Sequence, residues 1–329
     1  MPPVPLESLE RLGQTWALDA PTERRRMMII VNPYATTVSE RLKNLVVYAL
    51  QGRYEVTAVE TKARGHATEL CREAQAEDYD VVVAFGGDGT VNEAANGLAG
   101  GDVPLTCLPG GATNVYCKIL GIPGEIVDAT EHLLRMADHW EPRRVDLARV
   151  NGRHFTFSSG IGLDASVVER VDRHPYRKAK FGASYFTWTA IGTFLRRYVT
   201  SPPRLEVTLG DGTVHNGVTA IVQNGDPFTY FRNRPIHLAE GGRIDDGLLR
   251  GVVLRRSTPT VMPGIIYRAF SKRAQLVKHR AVDGYDGVTE LTVRSTDGRP
   301  VPLQVDGDHI GDVTEATYGI APRVLPVVA

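Results

Sequence analysis

The stretch DVVVAFGGDGTVNEAANGL, residues 80–98, decides the fold. Asp80–Phe85 is an almost unbroken apolar run, as a strand buried on both faces requires. Gly86-Gly87-Asp88-Gly89 breaks that run, and Thr90–Leu98 then carries its apolar residues at helical spacing. Strand, glycine turn and helix in direct succession suit an anion. The glycines let the backbone approach a ligand closely, and the helix N-terminus offers free N–H groups and a positive dipole end. Asp88 in such a turn would repel a phosphate unless a cation lay between them, so Mg²⁺ is implied. Taken alone, the turn also reads as a plain strand-to-helix connection capped by Asp88 or Thr90.

The pattern repeats on both sides. Upstream, Met27–Val31 reads as a strand stopped by Asn32-Pro33, Val38–Leu50 as a helix, Tyr54–Glu60 as a strand and His66–Ala76 as a helix. Downstream, Pro104–Leu108 reads as a strand and Thr113–Ile119 as a helix, joined by a second glycine turn, Pro109-Gly110-Gly111-Ala112-Thr113-Asn114. The helix Val127–Ala137 closes this half. The alternation predicts a doubly wound parallel sheet with both glycine turns at its carboxyl edge, where open α/β folds bind ligands. Neither turn matches GxGxxG, and no GxxxxGK[ST] loop is present. From Arg144 the pattern changes. Val145–Val150, His154–Ser158, Leu205–Leu209, Val214–Gln223, Leu248–Leu254 and Leu291–Arg294 read as strands, many separated by turns such as Asn151-Gly152 and Asp211-Gly212. This predicts an antiparallel β domain after a boundary near Pro142.

Composition narrows the function. Over 329 residues, Lys+Arg and Asp+Glu are both 38, so the formal net charge is zero, which argues against a chain built to hold nucleic acid. Hydrophobic residues at 42% and charged residues at 23% are those of a folded protein. The three cysteines form no CxxC pair, and the histidines show neither HxxxH nor HExxH spacing, so a reducing compartment and no zinc site are expected. Residues 1–21 lack the apolar core of a secretory signal, and no run is long enough to span a bilayer.

The neutral total hides two basic stretches. Val168–Arg204 holds eight Lys/Arg against Glu169 and Asp172, interleaved with Tyr176, Phe181, Tyr185, Phe186, Trp188, Phe194 and Tyr198. Leu248–Val282 holds eight more and no acidic residue. Such segments suit an anionic membrane surface, although a helix with a solvated charged face would look the same.

Taken together, Val31-Asn32-Pro33, Gly86–Thr90 with Asn92-Glu93, Leu108–Gly111 with Asn114, Ser159–Ala165, Asp245–Leu249 and Val305–Asp308 resemble the diacylglycerol kinase catalytic-domain family. Sphingosine, ceramide and bacterial lipid kinases are its relatives. The elements stand in family order across about Met27 to Val328, and the GGDGT element alone is shared with NAD kinases. The resemblance implies an extension (1–25), an ATP-binding α/β domain (26–142), a β-sandwich lipid-substrate domain (143–312) and a segment returning to the first domain (313–329), with the active site in the cleft between the domains. It implies ATP contacts from Asn32, Pro33, Thr61, Gly86, Gly87, Asp88, Gly89, Thr90, Val91, Asn92, Glu93, Gly111, Ala112, Thr113 and Asn114. It implies a catalytic base at Asp306 or Asp308, with Asp88 also catalytic, and a structural metal at Asp246 with the carbonyls of Arg243 and Leu248. Three positions depart from the family pattern: Val115 replaces an acidic residue, Asn32-Pro33-Tyr34-Ala35-Thr36 lacks the usual glycine, and Asp308 replaces glutamate.

The expected activity is an ATP- and Mg²⁺-dependent lipid kinase acting on diacylglycerol, working from the cytoplasm at the inner membrane face. A sphingoid base or ceramide is the alternative acceptor, followed by NAD kinase and a degenerate lipid- or nucleotide-binding protein. A homodimer is compatible with this reading. A free alcohol is a weak nucleophile, so a carboxylate should take its proton during transfer. Without the resemblance, Asp306-Gly307-Asp308 and Asp245-Asp246-Gly247 read as simple turns.

Overall fold

The computed structural model describes residues 24–172, 198, 201–231, 234–271 and 273–329. Residues 1–23 of the extension expected at 1–25, and most of the first basic aromatic stretch, 173–197 and 199–200, lie outside the described residues. The chain folds as two units, one running to Val145 and taking up Arg323–Ala329, the other comprising Asp146–Pro322.

The first unit alternates strand and helix. β1 (Arg25–Val31), α1 (Glu40–Leu50), β2 (Tyr54–Glu60), α2 (His66–Ala76), β3 (Val81–Gly86), α3 (Asp88–Leu98) and β4 (Leu105–Pro109) are followed by the short α4 (Val115–Ile119) and by α5 (Ile126–Met136). The strands are parallel in the order β2-β1-β3-β4. β3 is buried along its whole length and Met27–Val31 of β1 likewise, which is why both read as continuous apolar runs. Each fully buried Val or Ile in them contributes about 1.5–3 kcal/mol. α1 begins where Ser39 Oγ accepts the Leu42 amide at 3.3 Å. Chain order reverses between β1 and β3. The crevice at their carboxyl ends is therefore the switch point at which such sheets bind ligands.

In the second unit β5 (Arg143–Val150), which enters from the first, leads to β6 (Arg153–Phe155), β7 (Ser158–Ile161), α6 (Leu163–Asp172), β8 (Leu205–Leu209), β9 (Val214–Gly217) and β10 (Thr219–Gln223). A small hairpin of β11 (Thr229–Phe231) and β12 (Arg234–Ile236) precedes β13 (Leu249–Leu254) and α7 (Met262–Ala269). β14 (Val282–Val288), β15 (Glu290–Ser295), β16 (Val301–Val305), β17 (Asp308–Val313) and β18 (Glu315–Val327) complete it. One antiparallel sheet has the order β14-β13-β10-β7-β16-β17; a second pairs β18, β15, β8 and β9 in that order. Val207, Leu291, Val293 and Tyr318 from one sheet and Ile161, Val222, Val253 and Leu303 from the other share a single apolar core, making a sandwich. Ile221, Val252 and Leu254, of opposite pleat phase, form a second cluster with Leu238, Leu276 and the inner residues of α7.

Two expected strands are each divided. His154–Ser158 ends at Phe155 and restarts at Ser158 as β7. Val214–Gln223 splits at Val218, with β9 pairing β8 and β10 pairing β13 and β7. Gly217 makes that corner possible: a Cβ there would lie 2.6 Å from the Leu254 carbonyl oxygen. β18 crosses back into the first unit, where Val327 pairs in parallel with Leu105 of β4.

Candidate active site

The switch point of the first unit gathers three loops. After β1, the Asn32 amide donates to Phe85 O at 2.9 Å, and Asn32 Nδ2 donates to Thr90 Oγ1 at 3.1 Å. Pro33 follows it, half-buried, and Asn32 Oδ1 accepts the Tyr34 amide at 3.0 Å. After β3, Gly86 needs to be glycine because a Cβ would meet Thr90 Oγ1 at 2.5 Å. After β4, the Gly110 amide donates to Gly86 O at 2.8 Å, and Gly110 O accepts the Thr37 amide at 3.1 Å.

The two glycine turns then press backbone on backbone. A Cβ at Gly87 would come 3.4 Å from Gly111 Cα, and one at Gly111 would come 2.7 Å from Gly87 Cα. This side-chain-free cradle beside the N-terminus of α3 fits a phosphate group. Asn114 locks the second turn from a left-handed backbone (φ 49°), its Oδ1 accepting the Gly111 amide at 2.8 Å and its Nδ2 donating to Gly111 O at 2.9 Å. Ala112 is exposed at the tip.

Asp88 bridges the turns. Its carboxylate accepts Thr113 Oγ1 at 3.2 Å and the Tyr116 amide at 3.1 Å, the latter at the start of α4. The acid therefore starts α3 and also ties down the second loop. Lys118 feels two opposing influences: burial lowers the pKa of its ammonium, and the Asp88 charge raises it. Glu93 is placed differently from a direct phosphate ligand, since its carboxylate caps α2 through the Gly65 amide (2.8 Å) and the Ala67 amide (3.3 Å). Val91 and Asn92 are buried, and Gly89 is half-buried. Thr61 lies just past β2, its amide donating to Val31 O at 2.8 Å.

In the second unit, Asp306 and Gly307 form the two-residue turn between β16 and β17, with φ of 48° and 83° and Val305 paired to Asp308. The hairpin expected from the bare sequence is thus present, and it aims the two acids differently. Asp306 is 4% exposed. Its carboxylate accepts the amides of Thr156 (2.7 Å), Phe157 (3.0 Å) and Ser158 (3.1 Å) and Thr156 Oγ1 (2.8 Å), pinning the β6–β7 link. Asp308 heads β17, half-buried. The Gly307 amide donates to Gln304 Oε1 at 2.9 Å, and Gln304 Nε2 donates to Asp164 Oδ2 at 2.7 Å. Burial pushes Asp164 up to about 6 despite the Gln304 hydrogen bond. Gly160 leaves room for this pair, because a Cβ there would stand 2.5 Å from Asp164 Oδ2.

Asp246 lies on the turn before β13. Its Oδ1 accepts the Leu248 amide at 3.1 Å, and its Oδ2 pairs with Arg250 at 2.7 Å. Arg243, exposed on the same turn, pairs with Asp245 at 3.0 Å. The buried Asp146 accepts the Gly247 amide at 2.6 Å and holds the turn from β5. Among the described residues no group of three His, Cys, Asp or Glu is placed to hold a metal ion. Thr37, Lys118, Thr156, Gln304 and Asp146 were not singled out from sequence. Asp164 had been quoted only as part of the Ser159–Ala165 element.

Comparisons with known proteins take in the two glycine turns, and the family model ends before Asp246, Asp306 and Asp308. A family model described as the diacylglycerol kinase catalytic domain matches residues 26–150. A diacylglycerol kinase of Bacillus subtilis (strain 168) is 36% identical over 147 residues, which are 42% of this chain and 46% of that protein. A diacylglycerol kinase of Staphylococcus carnosus (strain TM300) is 25% identical over 301 residues, 88% of this chain and 90% of that protein. The crystal structure of a diacylglycerol kinase from Bacillus anthracis str. Sterne superimposes with a TM-score of 0.69 at 21% identity, over 94% of this chain and 98% of that one, a likeness of fold.

Proposed function

We propose that this chain, whose residues 26–150 match the diacylglycerol kinase catalytic domain, is a lipid kinase that transfers the γ-phosphate of ATP to the hydroxyl of diacylglycerol. The bare-backbone contact of Gly87 with Gly111 at the sheet switch point is the observation that carries the nucleotide reading. The two glycine turns and the N-terminus of α3 would bind the ATP phosphates through backbone N–H groups. Mg²⁺, bound with ATP, would supply charge neutralisation between phosphate oxygens and Asp88. Asp88 orients the second turn through Thr113 and Tyr116, so losing it would disturb both turns at once.

For the proton, the reading favours Asp308. The Asp306 oxygens already accept four hydrogen bonds, which supports a structural role for it. As the acceptor oxygen bonds to the γ-phosphorus, the bond to the β-phosphate oxygen breaks, ADP leaves with that electron pair, and the hydroxyl proton passes to Asp308. A metal at Asp246 would have to compete with the Arg250 ion pair, so any role for it stands apart from these steps. A diacylglycerol acceptor is a bilayer component, so on this reading the reaction takes place at a membrane surface; no helix among the described residues is long and apolar enough to cross a membrane.

Transfer of labelled γ-phosphate from Mg-ATP to diacylglycerol, sphingosine, ceramide and monoacylglycerol in mixed micelles tests this, with NAD as soluble control. Label in phosphatidic acid is expected. A better sphingosine or ceramide signal would replace the acceptor, and label in NADP alone would overturn the reading.

A further inference from the structure

Helix α7 turns an unusual face outward. Its inner residues Met262, Ile265 and Ala269 pack on the cluster of Ile221, Val252, Leu254 and Leu276. Tyr267, on the far side, is 69% exposed, and Ile266 (53%) and Phe270, just past the helix (44%), flank the packed stripe, the Phe270 ring meeting Phe231 edge-on at 5.6 Å. Val277 adds a fourth exposed apolar side chain a few residues on. Large apolar groups gathered within a dozen residues form a patch of the kind that marks an interaction surface.

Cations surround this patch. The Arg268 guanidinium donates to Gln275 O at 2.9 Å, tying the following loop to the helix. A Cβ on Gly264 would meet His279 Nε2 at 3.0 Å, so the His279 ring lies against the first turn of α7. Exposed Lys278 and Arg280 flank that ring, and exposed Arg273 lies in the same loop. Withdrawal from water and the nearby Arg268 and Arg280 charges lower the His279 pKa, as a cationic surrounding should. Glu240 accepts Gln275 Nε2 at 2.9 Å, and Asp283, on the strand beside Val277, is paired with Arg255. From Leu248 to Val282 the chain has eight Lys/Arg and no Asp or Glu.

We propose that the outward face of α7, through Ile266, Tyr267 and Phe270, is the element that seats this chain on an anionic lipid bilayer, with Arg273, Lys278 and Arg280 on the headgroups. The proposal deepens the lipid-kinase reading by naming the surface on which its acceptor is met. A short amphipathic helix with aliphatic and aromatic residues outermost enters the headgroup–acyl boundary, where a tyrosine ring is at home. Charge complementarity selects the partner: each Lys or Arg near an anionic leaflet strengthens attachment roughly fivefold. A protein partner would instead need acidic complementarity and a fitted apolar pocket.

The test is cosedimentation of the full chain with vesicles of phosphatidylcholine, alone or with 30% (about one lipid in three) phosphatidylglycerol, in parallel with turnover on dioctanoylglycerol in detergent micelles. Wild type should bind the anionic vesicles and leave the neutral ones largely alone. I266S/Y267S should bind about tenfold more weakly, from the half-exposed apolar area withdrawn. R273Q/K278Q should lose more than tenfold, and more at low salt than at high. Both double variants should melt with wild type and keep micellar turnover. Equal vesicle binding by either variant and wild type, or no anionic binding by wild type, overturns the docking proposal. Wild type that binds vesicles yet phosphorylates no micellar lipid would instead overturn the kinase reading.

Discussion

Asp306→Asn separates the two acids of the β16–β17 turn. Asparagine tolerates the left-handed backbone at this position (φ 48°), so the substitution changes the carboxylate and leaves the turn conformation available. The carboxylate accepts three backbone amides and one hydroxyl at 2.7–3.1 Å, in a site 4% exposed. An amide keeps one oxygen and turns an NH₂ group toward donors that had faced a carboxylate oxygen. Thr156 Oγ1 can rotate to accept from it, but at least one backbone N–H is left opposed. Hydrogen bonds to a charged group contribute about 1.5–3 kcal/mol each, so losing one or two with partial relaxation costs about 3–5 kcal/mol. A unit of this size shifts by about 2–4 °C per kcal/mol, which puts the expected drop in Tm near 10 °C. Asp308→Asn, at a half-buried strand start, should change Tm by less than about 2 °C and lower kcat by about 10²–10⁴. Thermal melts and steady-state transfer on both proteins check this. An Asp306→Asn protein that melts with wild type and has lost kcat would refute the assignment of roles.

Other outcomes follow from single contacts. Gly111→Ala places a Cβ 2.7 Å from Gly87 Cα, and such overpacking costs about 1–3 kcal/mol, so ATP affinity by calorimetry should fall by about 5- to 150-fold. Glu93→Ala removes the acceptor for two amides at the start of α2 and should lower stability to urea by about 1–2 kcal/mol. Asp164 has a folded pKa raised to about 6 from 3.8, so its contribution is fully present below pH 4 and is lost as pH rises through 6. The neutral amide of Asp164→Asn carries no such loss. Urea titrations should find the variant equal to wild type near pH 4 and progressively more stable relative to it up to pH 7.

The local grammar of the first unit was legible because its signals are local. Tyr54–Glu60 and His66–Ala76 begin and end where turn residues punctuate them, and both glycine turns fall where a strand hands over to a helix. The β domain was harder to read. Whether Val214–Gln223 is one strand or two depends on Gly217 meeting the Leu254 carbonyl, a contact between segments far apart in sequence. α7 was not expected as a helix because Pro263 and Gly264 weaken its signal; proline is tolerated in a first turn, and the apolar cluster beneath supplies the rest. At the site, residue types were visible and duties were not. Nothing in the order of residues announces that Asp306 serves Thr156, 150 positions away, or that Glu93 caps α2.

The return of β18 to β4 also has a consequence for biosynthesis. β4 finds its neighbour on that side at Val327, and Val328 and Val324 add contacts to Leu105 and Gly100. All of these residues leave the ribosome more than two hundred positions after β4 itself. At roughly 5–20 residues per second, the buried edge Leu105–Pro109 waits ~10–40 s for its partner. During that interval the nascent first unit presents an apolar parallel strand edge, the kind of template that recruits other chains. Its yield in a cell should therefore respond to translation speed over residues 146–322 and to chaperone supply, even for variants with the equilibrium stability of wild type.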